Sequence, residues 1–293
     1  MPYSPRLTGL SLMLLSLTGW PVLAADNGCD KDDPNCVQVG TWQFSLAVGL
    51  GARSNPVEGG DTIPLVLVPQ FSYYGDRFFI DNLDFGYTLY DSPKQSFSLI
   101  ASPGYDRVFF QRNDLQNFFV ESAGLQTSLG LPGTGLGFVD DDLGDEERLN
   151  LQVLRERERR VTYLGGLEWS YGFDGAQLQF NYLHEVTGEH HGDEARLALA
   201  IPLYSQRWQL AATLGATWKS DRLVSYYYGE KRLYEPGSAV NPFARVSYTR
   251  PLNEKWTLRI FGHYQKLGSS IANSPIVEED DVLTVFVGGV YSF

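Results

Sequence analysis

The sequence predicts an all-β protein, a transmembrane up-and-down antiparallel β-barrel of about 12 strands with long polar loops on one side. Three observations predict it: apolar and polar residues alternate along many short segments, aromatic residues stand at both ends of several segments, and the chain begins with an export signal. Ten strands is the next best count. No run of about 18 apolar residues follows residue 25, which excludes membrane-spanning helices.

Composition and charge narrow the class of protein further. The 293 residues include 23 Lys and Arg against 35 Asp and Glu, for a net charge of -12 at pH 7. Nucleic-acid binding needs clustered cations, so no nucleic-acid partner is predicted. The hydrophobic fraction of 43% is too high for a disordered chain.

Residues 1–25 have the composition of a signal peptide. A cation at Arg6 precedes an apolar stretch over residues 7–22, and the small residues Ala24 and Ala25 offer a cleavage site. The mature chain then divides into an N-terminal periplasmic segment, 26–39, and a single outer-membrane barrel, 40–293. We therefore expect the protein in the outer membrane of a Gram-negative cell.

The two cysteines are predicted to form a local disulfide. Residues 26–28, which precede Cys29, lack the small and aliphatic pattern that lipidation needs, so Cys29 and Cys36 are better paired with each other. An oxidising compartment permits this bond. Its loop is short, and it would brace the N-terminal segment rather than hold the fold.

A period of two in the hydrophobic pattern predicts the strands. From Gln43 to Gly51, Phe44, Leu46, Val48 and Leu50 alternate with small or polar residues. The same alternation occurs over 161–171, 177–182, 196–203, 208–218, 256–264 and 283–293, and further strands are predicted to begin near residues 63, 78, 95, 221 and 241.

The placement of aromatic residues distinguishes a membrane barrel from a soluble sandwich. Trp208 and Trp218 lie on one face of a predicted strand, ten steps apart, and ten steps at about 3.3 Å with a tilt of about 40° span roughly 25 Å. That is the height of an outer-membrane apolar band. The predicted membrane-interface aromatics are Trp208, Trp218, Trp256, Tyr264 and Trp169. Strands exposed to lipid require a closed barrel, in which every backbone group is paired.

The connections between strands alternate in length. Short turns are predicted at 173–175 and 205–206, and longer polar loops at 190–193, 231–238 and 272–281. The longest interruption, from about 111 to 159, contains the acidic run 140–147. It lacks a clean apolar stripe, so we predict a partly ordered loop.

Several motifs resemble the MipA/OmpV family of outer-membrane proteins. They are the opening strand 42–51, the stretch 64–78, Tyr226-Tyr227-Tyr228-Gly229, the His- and Gly-containing turn 185–192, Ser274-Pro275-Ile276-Val277, and the residues Gly288, Tyr291 and Phe293 of the last strand. The resemblance implies that Gly288, Tyr291 and terminal Phe293 form a barrel-assembly signal. The long segment 111–159 and the cysteine pair depart from the family pattern.

The resemblance also implies a function and partners. A well-known member of the family is similar to a scaffold that joins a murein-cleaving lytic transglycosylase to a murein synthase. The first expectation is therefore a non-enzymatic scaffold for murein-remodelling enzymes. The alternatives are a narrow porin-like channel for small solutes, or a protein of osmotic response or adhesion. Other expected partners are outer-membrane lipid, lipopolysaccharide and the barrel-assembly machinery.

No residue pattern predicts catalysis or metal binding. The candidate bases and ligands are His184, His190, His191 and His263, and there is no Gly-x-Ser-x-Gly motif. The sequence predicts no catalytic residue, no metal site and no cofactor.

The inward-facing residues of the predicted strands are relevant to the channel interpretation. Strand alternation predicts that Glu168, Arg196, Arg245, Arg259 and His263 line the lumen. These charges either pair across a packed polar lumen or set the selectivity of a conducting one, and the sequence leaves both interpretations open.

Overall fold

The computed structural model describes residues 39–110, 159–205, 207–229 and 233–293. Twelve antiparallel strands close into one barrel, each paired with its neighbours in chain order, so the predicted fold class and strand count are confirmed. The strands are β1 (Trp42–Arg53), β2 (Ile63–Tyr74), β3 (Phe78–Asp81), β4 (Asp84–Asp91), β5 (Gln95–Pro103), β6 (Tyr163–Phe173), β7 (Ala176–Glu185), β8 (Asp193–Ser205), β9 (Trp208–Lys219), β10 (Ala239–Pro251), β11 (Trp256–Lys266) and β12 (Asp281–Ser292).

Three helical segments lie between strands. A 3-10 helix, η1 (Tyr105–Phe109), follows β5; α1 (Asp221–Tyr228) follows β9; and α2 (Ser269–Ala272) follows β11. In the part of the chain that the structure covers, no helix is long and apolar enough to cross a membrane. The predicted signal peptide, the cysteine pair and the acidic run 140–147 lie outside the described residues.

The strands alternate between a lipid-facing and a lumen-facing side chain. On β9 the odd-numbered residues from Ala211 to Lys219 point inward, whereas Leu214 on the opposite face is 62% exposed. On β12, Val282, Thr284 and Phe286 are buried between exposed leucine and valine side chains. This is the alternation of a barrel with a lipid-facing outer surface.

The seam between the first and last strands is built on glycines. Gly49 of β1 is opposite Gly288 of β12, and the ring of Phe286 lies over both. A Cβ added at Gly49 would lie 2.3 Å from the carbonyl oxygen of Val287. Only glycine allows the two backbones and the aromatic ring to approach this closely.

One wall of the barrel is built from a short hairpin that the sequence analysis predicted as one strand. Asn82, with a φ of 53°, turns the chain between β3 and β4. Its side-chain oxygen accepts a hydrogen bond from the backbone N–H of Phe71, and its own N–H donates to the carbonyl of Phe71. The turn therefore also attaches the hairpin to β2.

Residues 221–228 correct another prediction. We expected a strand to begin near residue 221, but these residues form α1. The buried side chains of this segment are Leu223, Val224, Tyr227 and Tyr228. This is the three-to-four-residue spacing of a helix packed on one face rather than the period of two of a strand.

The connections follow the predicted asymmetry. Short turns join β6 to β7 and β8 to β9 on the side of the barrel that also carries the start of β1 and Phe293. The long connections, with η1, α1 and α2, all lie on the opposite side. In outer-membrane barrels the short turns face the periplasm and the long loops face the cell exterior.

The lumen and its plug as candidate functional site

Inward-folded loop segments fill the extracellular mouth of the barrel. We call η1, residues 159–162, α1 and α2 the plug. Its apolar residues pack with inward side chains of the strands in one buried cluster, which contains Val57, Ile100, Val108, Phe109, Leu164, Leu183, Leu223, Val224, Tyr227, Tyr228, Ala239, Leu267, Ile271 and Val282. Because three separate loops contribute to this core, the plug is a packed element of tertiary structure.

A buried ion pair joins the plug to the barrel wall. The carboxylate of Asp106 in η1 lies 2.5 Å from the Nζ of Lys219 at the end of β9. Its other oxygen accepts a hydrogen bond of 2.8 Å from the hydroxyl of Tyr228. Burial raises the pKa of Tyr228, so this hydroxyl stays protonated and donates. Both oxygens of Asp106 are thus satisfied by partners on two different elements.

Arg159 enters the plug from the long connection between β5 and β6. Its side chain is 2% exposed, and its Nε and Nη2 donate hydrogen bonds of 3.1 and 2.9 Å to the carbonyl of Tyr227. Its guanidinium lies 3.8 Å from the centre of the Phe110 ring. The hydroxyl of Tyr227 is 3.0 Å from that of Thr162. Arg159 therefore closes the last turn of α1, whose carbonyls have no partner within the helix.

Two of the family-like motifs meet at the C-terminus of α1. The hydroxyl of Ser274 donates a 2.6 Å hydrogen bond to the carbonyl of Tyr228. Three residues later, Val277 pairs with Val57 in the loop between β1 and β2. The Tyr-Tyr-Tyr-Gly and Ser-Pro-Ile-Val segments, distant in sequence, thus serve one structural purpose.

A third motif, residues 185–192, folds around a buried carboxylate. Glu185 at the end of β7 is 1% exposed and accepts hydrogen bonds from the backbone N–H groups of Thr187, Glu189, His190 and His191 at 2.5 to 3.1 Å. The hydroxyl of Thr187 also donates to it. At Gly192 a Cβ would lie 2.7 Å from the backbone nitrogen of Leu223, so this loop packs directly against α1.

The histidines of this region have structural partners. The Nδ1 of His190 accepts a 3.0 Å hydrogen bond from the N–H of Gly192, and its ring packs on Tyr226 and Tyr227. Burial lowers the pKa of His190 below its ordinary value of 6.5. The Nδ1 of His184 lies 2.8 Å from Asp193. Within the described ranges, no group of three or more His, Cys, Asp or Glu side chains is placed to hold a metal ion.

The five predicted lumen residues occupy inward positions on four strands. Arg245 of β10 is opposite His263 of β11, with Arg259 two inward positions nearer the periplasmic side. Arg196 of β8 contacts the carboxylate of Glu194 on the same strand. Glu168 of β6 accepts hydrogen bonds of 2.7 and 2.8 Å from the side-chain amides of Gln179 and Asn181 on β7. The five residues therefore do not form one cluster.

Beneath η1 the lumen contains a cavity of about 100 Å³. Two of the predicted residues, Arg196 and His263, line it. Its wall also contains the charged side chains of Arg53, Asp106, Glu194 and Lys219. The sequence analysis missed all four. Strand alternation could have identified Arg53, Glu194 and Lys219, which continue the inward parity of their strands; Asp106 carries no such signal because η1 lies outside the strands.

The predicted interface aromatics lie on the outer side of the strands, Tyr291 and Phe293 lie at the end of the chain, and Gly288 lies on the inward face at the seam. Trp208 stacks near Tyr248, with ring centres 6.3 Å apart, and Trp256 meets Tyr291 at 5.3 Å. These pairs lie near the periplasmic strand ends. Trp218 and Tyr264 lie near the extracellular ends of β9 and β11. Trp169 lies on the outer face of β6. Terminal Phe293 is 80% exposed and contacts Tyr291 at 5.1 Å.

Comparison with known proteins identifies relatives along nearly the whole barrel. The chain is 21% identical over 262 residues to the MltA-interacting protein of Escherichia coli strain K12, covering 86% of this chain and 90% of the relative. It is 23% identical over 256 residues to the putative outer membrane protein YiaT of Escherichia coli O157:H7, covering 84% and 89%. Among solved structures, an outer membrane channel from Pseudomonas putida F1 matches with a TM-score of 0.41 and 13% identity, covering 90% of this chain and all of that one.

The profile of one protein family matches most of the chain. The family is described as MltA-interacting protein MipA, and the match extends over residues 46–293, from β1 to the final residue. Curated relatives include several proteins named as outer membrane proteins. The barrel with its plugged mouth is therefore an outer-membrane protein, and the chain belongs to the MipA family.

Proposed function

We propose that this protein is a non-enzymatic outer-membrane scaffold that binds murein-remodelling enzymes at its periplasmic side. The observation that carries the proposal is the relationship to a MltA-interacting protein along 90% of that relative's length. A lytic transglycosylase and a murein synthase are the proposed partners, since the family resemblance implies both.

The plugged mouth supports a function performed at the surface of the barrel. Tyr227, Tyr228 and Leu223 are each 1% exposed inside the plug core, and the Asp106–Lys219 pair ties the core to the wall. Separating such a pair would leave a buried charge without its partner, which is costly. The plug is therefore built to stay in place, and a rigid, filled barrel suits an anchor for other proteins.

The proposed docking surface is formed by the short turns on the periplasmic side of the barrel. The described turn residues are 75–77, 92–94, 174–175, 207 and 252–255, and they include charges of both signs. They offer little area by themselves. We therefore propose that residues 26–38, which precede β1 in the sequence, also bind the partner.

The test is a binding measurement with the folded mature protein in lipid nanodiscs. A soluble murein-cleaving lytic transglycosylase should bind saturably, and deletion of residues 26–38 should weaken this binding. Leu233→Ser is the matched control, because Leu233 is 67% exposed on the extracellular side and should leave binding unchanged. The scaffold proposal fails if folded protein binds neither a lytic transglycosylase nor a murein synthase. Release of soluble fragments from murein by the barrel alone would contradict a non-enzymatic function.

A narrow channel for small solutes is the second candidate function. The inward face supports it, because Arg245 and Arg259 place two cations on the wall beneath the plug, and His263 lies opposite Arg245. In planar bilayers, steady ion-selective conductance that Arg245→Ala with Arg259→Ala alters would favour the channel. A silent bilayer, with protein shown to be folded by heat-modifiable gel migration, would favour the scaffold.

A further inference from the structure

We propose that the cavity beneath η1 is a binding site for a small carboxylate that also carries a hydrogen-bond donor. This inference goes beyond both candidate functions, because a site of this kind requires neither an enzyme partner nor ion flow. It rests on the charges, the unpartnered polar atoms and the size of the cavity.

The charged side chains of the cavity wall leave one positive charge in excess. The wall contains three cations, Arg53, Arg196 and Lys219, and two carboxylates, Asp106 and Glu194. Lys219 lies 2.5 Å from Asp106, and Arg196 contacts Glu194. These two ion pairs leave Arg53 as the cation without a matching carboxylate on the described wall. A ligand with a single negative charge would balance it.

The Arg53 side chain is held in a geometry that suits a carboxylate. It is 9% exposed at the end of β1, and its guanidinium lies 4.7 Å from the centre of the Phe109 ring. Its Nε and Nη1 are buried and have no hydrogen-bond partner among the described residues. Each of these N–H groups is positioned to donate a charge-assisted hydrogen bond to a carboxylate oxygen.

Two amide oxygens on the cavity wall require a hydrogen-bond donor, which the same ligand would supply. The Glu168 carboxyl accepts hydrogen bonds from the NH₂ groups of Gln179 and Asn181, so their carbonyl oxygens point away from it. Those two oxygens, Oε1 of Gln179 and Oδ1 of Asn181, are buried and have no hydrogen-bond partner in the part of the chain that the structure describes. Buried acceptors left unsatisfied cost free energy, which a ligand hydroxyl or amino group would recover.

The cavity volume limits the ligand to a few non-hydrogen atoms. A volume of about 100 Å³ is smaller than an engineered cavity of about 150 Å³ that accepts benzene. The rings of Phe109 and Phe243 supply apolar wall between the polar groups. Glycolate, with one carboxylate, one methylene and one hydroxyl, fits these requirements and is the probe of choice.

The test is equilibrium dialysis of radiolabelled glycolate against the folded mature protein in detergent, in buffer without other carboxylates. We expect saturable binding of one glycolate per barrel. Acetate, which lacks the donor, and ethylene glycol, which lacks the charge, should each compete at least roughly tenfold more weakly, because each leaves buried groups unpaired. Ethylene glycol competing as well as glycolate would overturn the proposal, as would the absence of saturable binding to folded protein.

Variants identify the site. Arg53→Gln should weaken glycolate binding by at least roughly tenfold, the size expected for loss of a charge-assisted hydrogen bond, whereas Arg53→Lys should retain part of it. Arg250→Gln is the matched control, because Arg250 is exposed at the end of β10. Heat-modifiable migration verifies that each variant is folded, and unchanged binding by folded Arg53→Gln would refute the site.

Competition with a dipeptide distinguishes the source of the carboxylate. If glycylglycine displaces glycolate at lower concentration than glycolate itself, the site recognises a peptide C-terminus; if it displaces glycolate only at higher concentration, the site recognises a free small acid. Both results support the carboxylate site. Binding is measured without any current or partner protein, so its failure would leave the scaffold and channel proposals to their own tests.

Discussion

Single polar side chains hold the plug region together. Asp106 and Arg159 each join elements that are distant in sequence, and Glu185 holds its own loop in place. Each of the three is at most 5% exposed. A buried charged group is stable only when its hydrogen-bonding capacity is met. The effects of replacing these residues should therefore be large and local.

Replacing Glu185 with Gln should loosen the loop 186–192. The carboxylate accepts four backbone hydrogen bonds, and Gln offers one acceptor oxygen in place of two. We expect a loss of about 2 kcal/mol in unfolding free energy, measured by urea titration in detergent. Backbone amides of residues 187–191 should also exchange hydrogen faster. Glu189→Gln in the same loop removes only a partly exposed pair with Arg160 and should cost much less; equal losses would contradict this account.

Acidification should weaken the same region through His190. Burial lowers the pKa of His190 in the folded protein, so the unfolded chain binds a proton more readily. The stabilisation that neutral His190 gives the folded protein is therefore complete above the ordinary pKa of 6.5 and declines as the pH falls below it. Neighbouring groups that act on His190 include Glu185, Asp106, His191 and Glu194.

The measurement is the unfolding midpoint between pH 7.5 and 5.5, compared with that of His190→Asn. Asn offers its side-chain oxygen near the position of Nδ1 and can still accept the Gly192 N–H. The variant should show a smaller decline in the midpoint over this pH range. A decline of the same size in both proteins would assign the pH dependence to other groups.

At the scale of elements, α1 determines how the plug is attached. It presents Tyr227 and Tyr228 to the core, and its last carbonyls are satisfied by Arg159 and Ser274. The sequence analysis identified the Tyr-Tyr-Tyr-Gly motif as a family feature but predicted a strand near this position. Short apolar runs do not distinguish a helix from a strand by periodicity. The contacts that stabilise a helix here come from residues 106, 159 and 274, which are distant in sequence.

The hydroxyl of Tyr228 should contribute measurably to plug stability. Tyr228→Phe removes the 2.8 Å hydrogen bond to Asp106 and leaves the ring in place. We expect a loss of about 1.5–3 kcal/mol in unfolding free energy by urea titration, because the acceptor is charged. Tyr87→Phe, at a side chain 44% exposed on β4, should have little effect. If the two variants behave alike, the Asp106 centre does not stabilise the plug.

At the scale of the whole molecule, the barrel was predictable from sequence to a greater extent than its interior. Alternation and the aromatic spacing predicted the number of strands, twelve, correctly. One of the predicted strands is α1, however, and the segment near residue 78 forms both β3 and β4. These two errors offset each other in the count. Alternation assigns the inward residues, but it cannot show which of them meet across the lumen, because that depends on how loops fold inward.

Closure of the barrel should depend on Gly49. Gly49→Val places side-chain atoms where the carbonyl of Val287 and the ring of Phe286 already lie, so β1 and β12 should not pair in register. We expect the heat-modifiable folded band to be lost on gels without boiling. Gly262→Val on β11 is the matched control, because a Cβ there meets nothing within 4 Å. A normal folded band for Gly49→Val would show that the seam tolerates a wider spacing.

The seam also has a consequence for the order of folding. β1 and β12 are the first and last strands, so their pairing joins residues such as Ser45 and Ser292, which lie at opposite ends of the barrel sequence. Contacts of such long sequence separation form slowly, since most of the chain must be ordered first. The plug draws on loops that follow β5, β9 and β11, and its core needs the surrounding wall. The newly exported chain should therefore close the barrel before the plug packs into the extracellular end. During that interval the lumen is not yet blocked by the plug.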